Sequence, residues 1–157
     1  MSDTLPRRAL PLVLPLAIAA VNVAPSFAQA AAATPVQWQH TDPRLTWSPC
    51  PPIFPKGCEV TVLSGDPTTG PSDVFLRVPS NYTFPPHRHT SAEHIVIVAG
   101  VVHVTYAGGH QAELKERMYG LVPGKAGHKA HCGGRAGCVL FIHFDSPIDA
   151  EAATDVP

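Results

Sequence analysis

Pro85-Pro86-His87-Arg88-His89-Thr90-Ser91-Ala92-Glu93 is the stretch on which the reading of this chain turns. It spaces two histidines and a glutamate as His-x-His-x3-Glu, and six residues separate Glu93 from Gly100. The segments around it read as β-strands, which project alternate side chains to one face, so His87 and His89 point the same way. His128 stands five residues after Pro123. Three neutral imidazoles and one carboxylate complete a ligand set for one divalent transition metal. Nitrogen and oxygen donors suit Fe, Mn, Ni, Zn, Co or Cu and do not choose among them. The expected metal ligands are therefore His87, His89, Glu93 and His128.

Outward from this stretch, 157 residues suffice for one domain. The first 28 read as a signal peptide: Arg7 and Arg8 form a positive start, residues 9–23 are apolar, and Ser26-Phe27-Ala28 offers small residues for cleavage before Gln29. Pro11, Pro15 and Asn22 interrupt the apolar run, which is short for a membrane span. Arg7-Arg8 also admits a twin-arginine signal, but Leu10-Pro11 matches that poorly, and ordinary secretion is the better reading. The protein is thus expected to be exported, periplasmic or secreted. Removing Asp3, Arg7 and Arg8 takes 11 basic and 12 acidic residues to 9 and 11. A net charge near −2 gives no reason to bind nucleic acid. No basic run or basic amphipathic helix suggests a membrane surface after cleavage.

Cys50, Cys58, Cys132 and Cys138 all survive cleavage, and an even number in an exported chain predicts disulfides. Three pairings are possible. Cys50–Cys58 and Cys132–Cys138 are favoured because each pair brackets a short, turn-rich loop. The Cys-x7-Cys and Cys-x5-Cys spacings are not those of a metal knuckle.

Residues 29–48 read as an N-terminal arm carrying Trp38 and Trp47, and residues 149–157 as a flexible tail. Between them proline and glycine punctuate short β-rich runs at 59–63, 73–79, 94–99, 101–106, 112–116, 118–122 and 139–144. No window after the signal peptide has helical periodicity. The fold class is all-β, a sandwich or barrel in one domain over residues 49–148.

Gly65-Asp66-Pro67, Pro85-Pro86-His87-x-His89, Glu93 and Gly100 resemble the first motif of the cupin superfamily, and Pro123 followed by His128 resembles its second. The run Trp47-Ser48-Pro49, Phe54-Pro55-Lys56-Gly57 and Leu63-Ser64-Gly65-Asp66-Pro67 looks like a subgroup of exported single-domain cupins. The resemblance covers about residues 47–147 and implies an antiparallel jelly-roll β-barrel with the three histidines and the glutamate in its lumen. Three positions depart from the cupin pattern. Asn81 and Lys125 stand where glycine is usual, and Cys132 stands in place of an asparagine. Asn is the best non-glycine residue for a left-handed turn. Pro-Pro-His-Arg-His alone also suits a solvated hairpin; Glu93, Gly100 and His128 at matching positions weigh for ligation.

Of the other histidines, His131 and His94 fall on the opposite strand face from His128 and Glu93. The faces of His103 and His143 cannot be read, and His143 is the candidate for acid–base chemistry. His110 lies in a turn and His40 in the arm. Two functions follow from the resemblance. One is a metal-dependent enzyme on a small organic molecule, of oxygenase, isomerase or lyase type. The alternative is a non-catalytic cupin that binds or senses a metal or small ligand. Related barrels also suggest a homodimer.

Overall fold

The computed structural model describes residues 35–157. The expected signal peptide and residues 29–34 of the arm lie outside that range. Eleven strands occur among the described residues: β1 (Ser48–Pro49), β2 (Glu59–Gly65), β3 (Ser72–Val78), β4 (Thr83–Arg88), β5 (Glu93–Ala99), β6 (Val101–Tyr106), β7 (Gln111–Lys115), β8 (Tyr119–Val122), β9 (His128–Gly133), β10 (Cys138–Phe144) and β11 (Glu151–Ala152). They form two antiparallel sheets, ordered β1-β2-β3-β10-β5-β8 and β11-β4-β9-β6-β7. This is a single-domain jelly-roll barrel, as the sequence predicts. Among the described residues no helix is long and apolar enough to cross a membrane.

Strand periodicity builds the core. On β10, Cys138, Leu140, Ile142 and Phe144 are buried, while Val139, Phe141 and His143 between them are partly exposed. β5 buries Glu93, Ile95 and Ile97 in the same way. From the other sheet Phe84, Val102, Val104 and Leu114 complete one apolar cluster. Each such side chain contributes about 1.5–3 kcal/mol on leaving water.

One irregularity positions the functional stretch. β4 pairs with β9 at Thr83↔His131, Phe84↔Ala130 and then His87↔His128. The chain advances three residues on β4 against two on β9, so an extra residue is accommodated at Pro85-Pro86. A bulge reverses the inward–outward parity, and Phe84 and His87 are both buried despite their odd separation. Proline suits this place because it has no N–H to leave unpaired.

Asn81 adopts φ +61° and Lys125 φ +67°. Both positions usually held by glycine therefore keep the left-handed backbone. The Asn81 amide donates to the Cys132 carbonyl, and the Lys125 amide to the His89 carbonyl.

Both favoured disulfides are formed, Cys50–Cys58 and Cys132–Cys138. The second links β9 of one sheet to β10 of the other. Residues 149–157, expected from sequence to be a flexible tail, lie against the barrel. Glu151 and Ala152 pair with Arg88 and His87, Ala153 is buried, and Arg88 faces Glu151 and Asp155 at 3.6 and 3.3 Å. A two-residue pairing has no hydrophobic periodicity for a sequence reading to detect.

Candidate metal centre

The four expected ligands converge from three segments. His87 lies on β4 and His89 just beyond its end, Glu93 opens β5, and His128 opens β9. All four are buried. One donor atom from each histidine lies within 4.8 Å of the others. Glu93 Oε1 is 3.5 Å from His89 Nε2, and Oε2 is 3.2 Å from His128 Nε2.

The main chain fixes how the imidazoles present themselves. His87 Nδ1 donates to the Pro85 carbonyl at 2.7 Å and His128 Nδ1 to the Ala126 carbonyl at 3.2 Å. His89 Nδ1 donates to the Asp149 carbonyl. A carbonyl only accepts, so each Nδ1 carries the proton and each Nε2 keeps its lone pair for a metal. Aromatic rings wedge the imidazoles in place. Phe54 stands edge-on to His87 at 4.8 Å between centroids, and Phe144 to His89 at 5.6 Å.

Electrostatics carry the mark of this crowding. Burial, followed by the neighbouring His128, pushes the His87 imidazole down to about 4. Burial also opposes charge on Glu93, but the surrounding histidines, His128 foremost, outweigh it and hold the carboxyl below its usual range. Burial likewise opposes charge on His128, and the facing Glu93 outweighs it and raises that imidazole. Glu93 Oε2 is buried with no hydrogen-bond partner. Three converging imidazole lone pairs beside a carboxylate oxygen without a partner are donors without an acceptor, and a cation among the histidines would satisfy them. The residues thus fit a divalent metal held by nitrogen and oxygen.

A cavity of about 250 Å³ adjoins the cluster. Its wall is overwhelmingly apolar, with Ile95, Val102, Leu140 and Ile142 among the lining residues. The ionisable lining residues are His87, His89, Glu93, His128 and Asp149. Val62 lines the cavity yet is exposed, which marks a mouth.

The structure does not bring His143 to this cluster. It lies on the outer face of β10, where Nδ1 donates to Asp73 Oδ1 at 2.7 Å. His94 and His131 are on outer faces, as strand alternation predicts; His131 pairs with the Thr83 hydroxyl at 3.1 Å. His103 faces Glu113 at 3.6 Å, and His110 stacks on Tyr106. Sequence reading missed Asp149. Its carbonyl orients His89, and its carboxylate accepts from the Thr90 amide at 2.7 Å and hydroxyl at 2.6 Å. No local signal marks it, because both partners are about sixty residues away.

Comparison with other proteins agrees with the fold. Residues 37–146 match the family described as ChrR Cupin-like domain. No curated protein matches the sequence. Among solved structures, the polyketide cyclase RemF from Streptomyces resistomycificus is similar at TM-score 0.63 and 16% identity, over 78% of this chain and 89% of that one. Rru_A2000 from Rhodospirillum rubrum, a cupin-2 domain, is similar at TM-score 0.62 and 15% identity, over 78% of this chain and 84% of that one. Oxalate decarboxylase from Bacillus subtilis, a protein with Mn(II) centers, is similar at TM-score 0.53 and 16% identity, over 66% of this chain. The chain spans only 28% of that decarboxylase. At these identities the likeness is one of fold.

Proposed function

This chain belongs to the ChrR cupin-like family, and from that membership we propose that it is an exported metal-dependent enzyme acting on a small, mainly apolar organic molecule, by oxygenase, isomerase or lyase chemistry. His87, His89, Glu93 and His128 would hold one divalent transition metal. The observation that carries the reading is the convergence of three Nε2 lone pairs, each imidazole having its Nδ1 proton committed to a backbone carbonyl. A metal held there supplies Lewis acidity and coordination positions for a substrate oxygen.

The chain's own residues define what such a substrate meets. Ile95, Val102, Leu140 and Ile142 take an apolar body and exclude water from it. The cavity of about 250 Å³ limits its size. Glu93 and the imidazoles hold the polar end of the cavity. Two disulfide links support export to an oxidising compartment.

One observation favours the non-catalytic alternative, a cupin that binds or senses a metal or small ligand. Asp149 is the lining carboxylate outside the ligand set, and it is committed to Thr90. Catalysis usually needs a positioned proton donor or acceptor beside the reacting atoms.

The test has two stages. Elemental mass spectrometry of exported protein should find near one equivalent of transition metal in this site, lost in His87→Ala and His128→Ala. The loaded protein is then incubated with small carbonyl and carboxylate compounds, with products read by mass spectrometry against the metal-free protein. Metal-dependent turnover supports the enzyme. Saturable binding without turnover supports the alternative. Failure of either histidine variant to reduce metal content overturns both.

A further inference from the structure

We propose that the barrel lumen takes a single-headed amphiphile: a monocarboxylate whose head binds at the cluster of His87, His89, Glu93 and His128 and whose slender hydrocarbon tail runs along the barrel away from them. The head rests on the metal reading proposed above. The tail is argued from the wall alone.

The wall is built in layers, because residues paired across a ladder share a level. Glu93, Phe144, His87 and His128 form the first layer, through the pairs Glu93↔Phe144 and His87↔His128 and the 3.2 Å approach of Glu93 to His128 between the two sheets. Ile95, Ile142, Val74, Phe84, Ala130 and Val104 form the second. Leu140, Leu76 and Val102 belong to the third. The cavity is lined from all three layers. Cys132 and Cys138, joined by their disulfide and buried, lie at the far end and do not line it. Successive layers are two residues apart, about 6.8 Å along a strand. A ligand headed at the first layer therefore has two apolar layers beside the rest of its length.

Polar groups on this wall stop at the first layer. Beyond it, the polar side chains of the lining are Thr68 and Asp149, both exposed. Each is engaged: the Thr68 hydroxyl donates to Asp66 Oδ1 at 2.6 Å, and the Asp149 carboxylate accepts from the Thr90 amide and hydroxyl. A second polar group on the ligand, set against Leu76, Val102 or Leu140, would lose its water and find no partner. No lysine or arginine lines the cavity, so an anion finds its counter-charge at the metal alone. Glu93 offsets one of the two positive charges of a divalent ion, and one carboxylate on the ligand offsets the other. The buried layer is then neutral, which an apolar surrounding requires. An ammonium head would leave it with surplus charge. At about 250 Å³ the cavity is also smaller than the ~300–1,000 Å³ of pockets that hold drug-sized ligands, which suits one chain and not a ring system.

The experiment is calorimetric titration of cobalt-loaded, disulfide-bonded protein with acetate, butanoate, hexanoate and octanoate, and with octanedioate, which is octanoate carrying a second carboxylate at its far end. Affinity should rise roughly fourfold with each methylene until the tail fills the third layer. Octanedioate should bind weaker than octanoate by roughly 10-fold or more. Octanoate should also change the visible absorption of the cobalt, because its head enters the coordination shell. Val102→Phe, which narrows the third layer, should weaken octanoate and leave butanoate unchanged, a split that general damage to the fold would not produce. A series flat in chain length, octanedioate as tight as octanoate, or octanoate binding that leaves the cobalt spectrum unmoved would each overturn the proposal. Cobalt content is measured first. A protein that takes up no cobalt refutes the metal reading and the head assignment with it, whereas a loaded protein with a flat series refutes this inference and leaves the metal reading standing.

Discussion

The carbonyl oxygen of Asp149 accepts the Nδ1 proton of His89 across sixty residues of sequence. The segment after β10 is thus part of the support of the candidate metal centre. Ile148, Asp149 and Ala150 line the cavity, and Glu151–Ala152 pairs beside His87. Ending the chain after Ile148 should leave a folded barrel with metal affinity reduced roughly 10–100-fold, the usual effect of losing a group that orients a ligand. Competition with a chelator measures this. Unchanged affinity would show that His89 holds its orientation without the Asp149 carbonyl.

The buried His87 gives the metal-free protein a pH dependence. Its imidazole is pushed down from an ordinary 6.5 to about 4, so between those values the unfolded chain binds a proton that the folded chain refuses. Stability should therefore be lost as pH falls from about 6.5 to about 4, by on the order of 3 kcal/mol from this group. His128 is shifted upward and works in the opposite direction: its contribution is present below 6.5 and is lost as pH rises through its folded value. Thermal unfolding of metal-free protein across this range, beside His87→Gln, measures the first effect. An equally steep slope in the variant would assign the dependence elsewhere.

Lys125 occupies a left-handed conformation at φ +67°. A non-glycine residue there costs roughly 1–2 kcal/mol, while glycine adds about 0.4–1 kcal/mol of unfolded-state entropy to be lost. Lys125→Gly should raise stability by no more than about 1 kcal/mol, and the stiffer Lys125→Val should lower it. Melting temperatures read both, and a more stable Val variant would contradict the strain argument.

The Cys132–Cys138 link ties the sheet bearing His128 to the sheet bearing Glu93. Replacing both cysteines with serine should cost about 2–3 kcal/mol for so short a loop. That is a sizeable share of a typical ~5–15 kcal/mol. Denaturant unfolding measures the loss, and a midpoint unmoved by the double replacement would remove the disulfide from the account of stability.

Much of this was legible from residues alone, for identifiable reasons. His-x-His-x3-Glu and His128 are recognisable by spacing, and the cysteine pairs by the shortness of their loops. What spacing could not supply was the backbone under it. Regular alternation suffices to place His87 and His89 on one face, yet β4 reaches its inward parity through the Pro85-Pro86 bulge and ends before His89. Val139-Leu140-Phe141-Ile142 is apolar on both faces, so nothing in it reveals that His143 points outward. Asp149 acts on partners far away in sequence, and local pattern does not encode such pairings.

In all three candidate ligand imidazoles Nδ1 is held by a main-chain carbonyl and by no side chain. The tautomer of each is consequently insensitive to the identity of the residues at 85, 126 and 149, provided the backbone path survives. Lining positions such as Ile95, Val102, Leu140 and Ile142 are then free to vary without altering these hydrogen bonds. On the proposed function, the barrel separates the inheritance of metal binding from that of the substrate pocket, so new specificities can evolve on this wall while the coordinating residues stay intact.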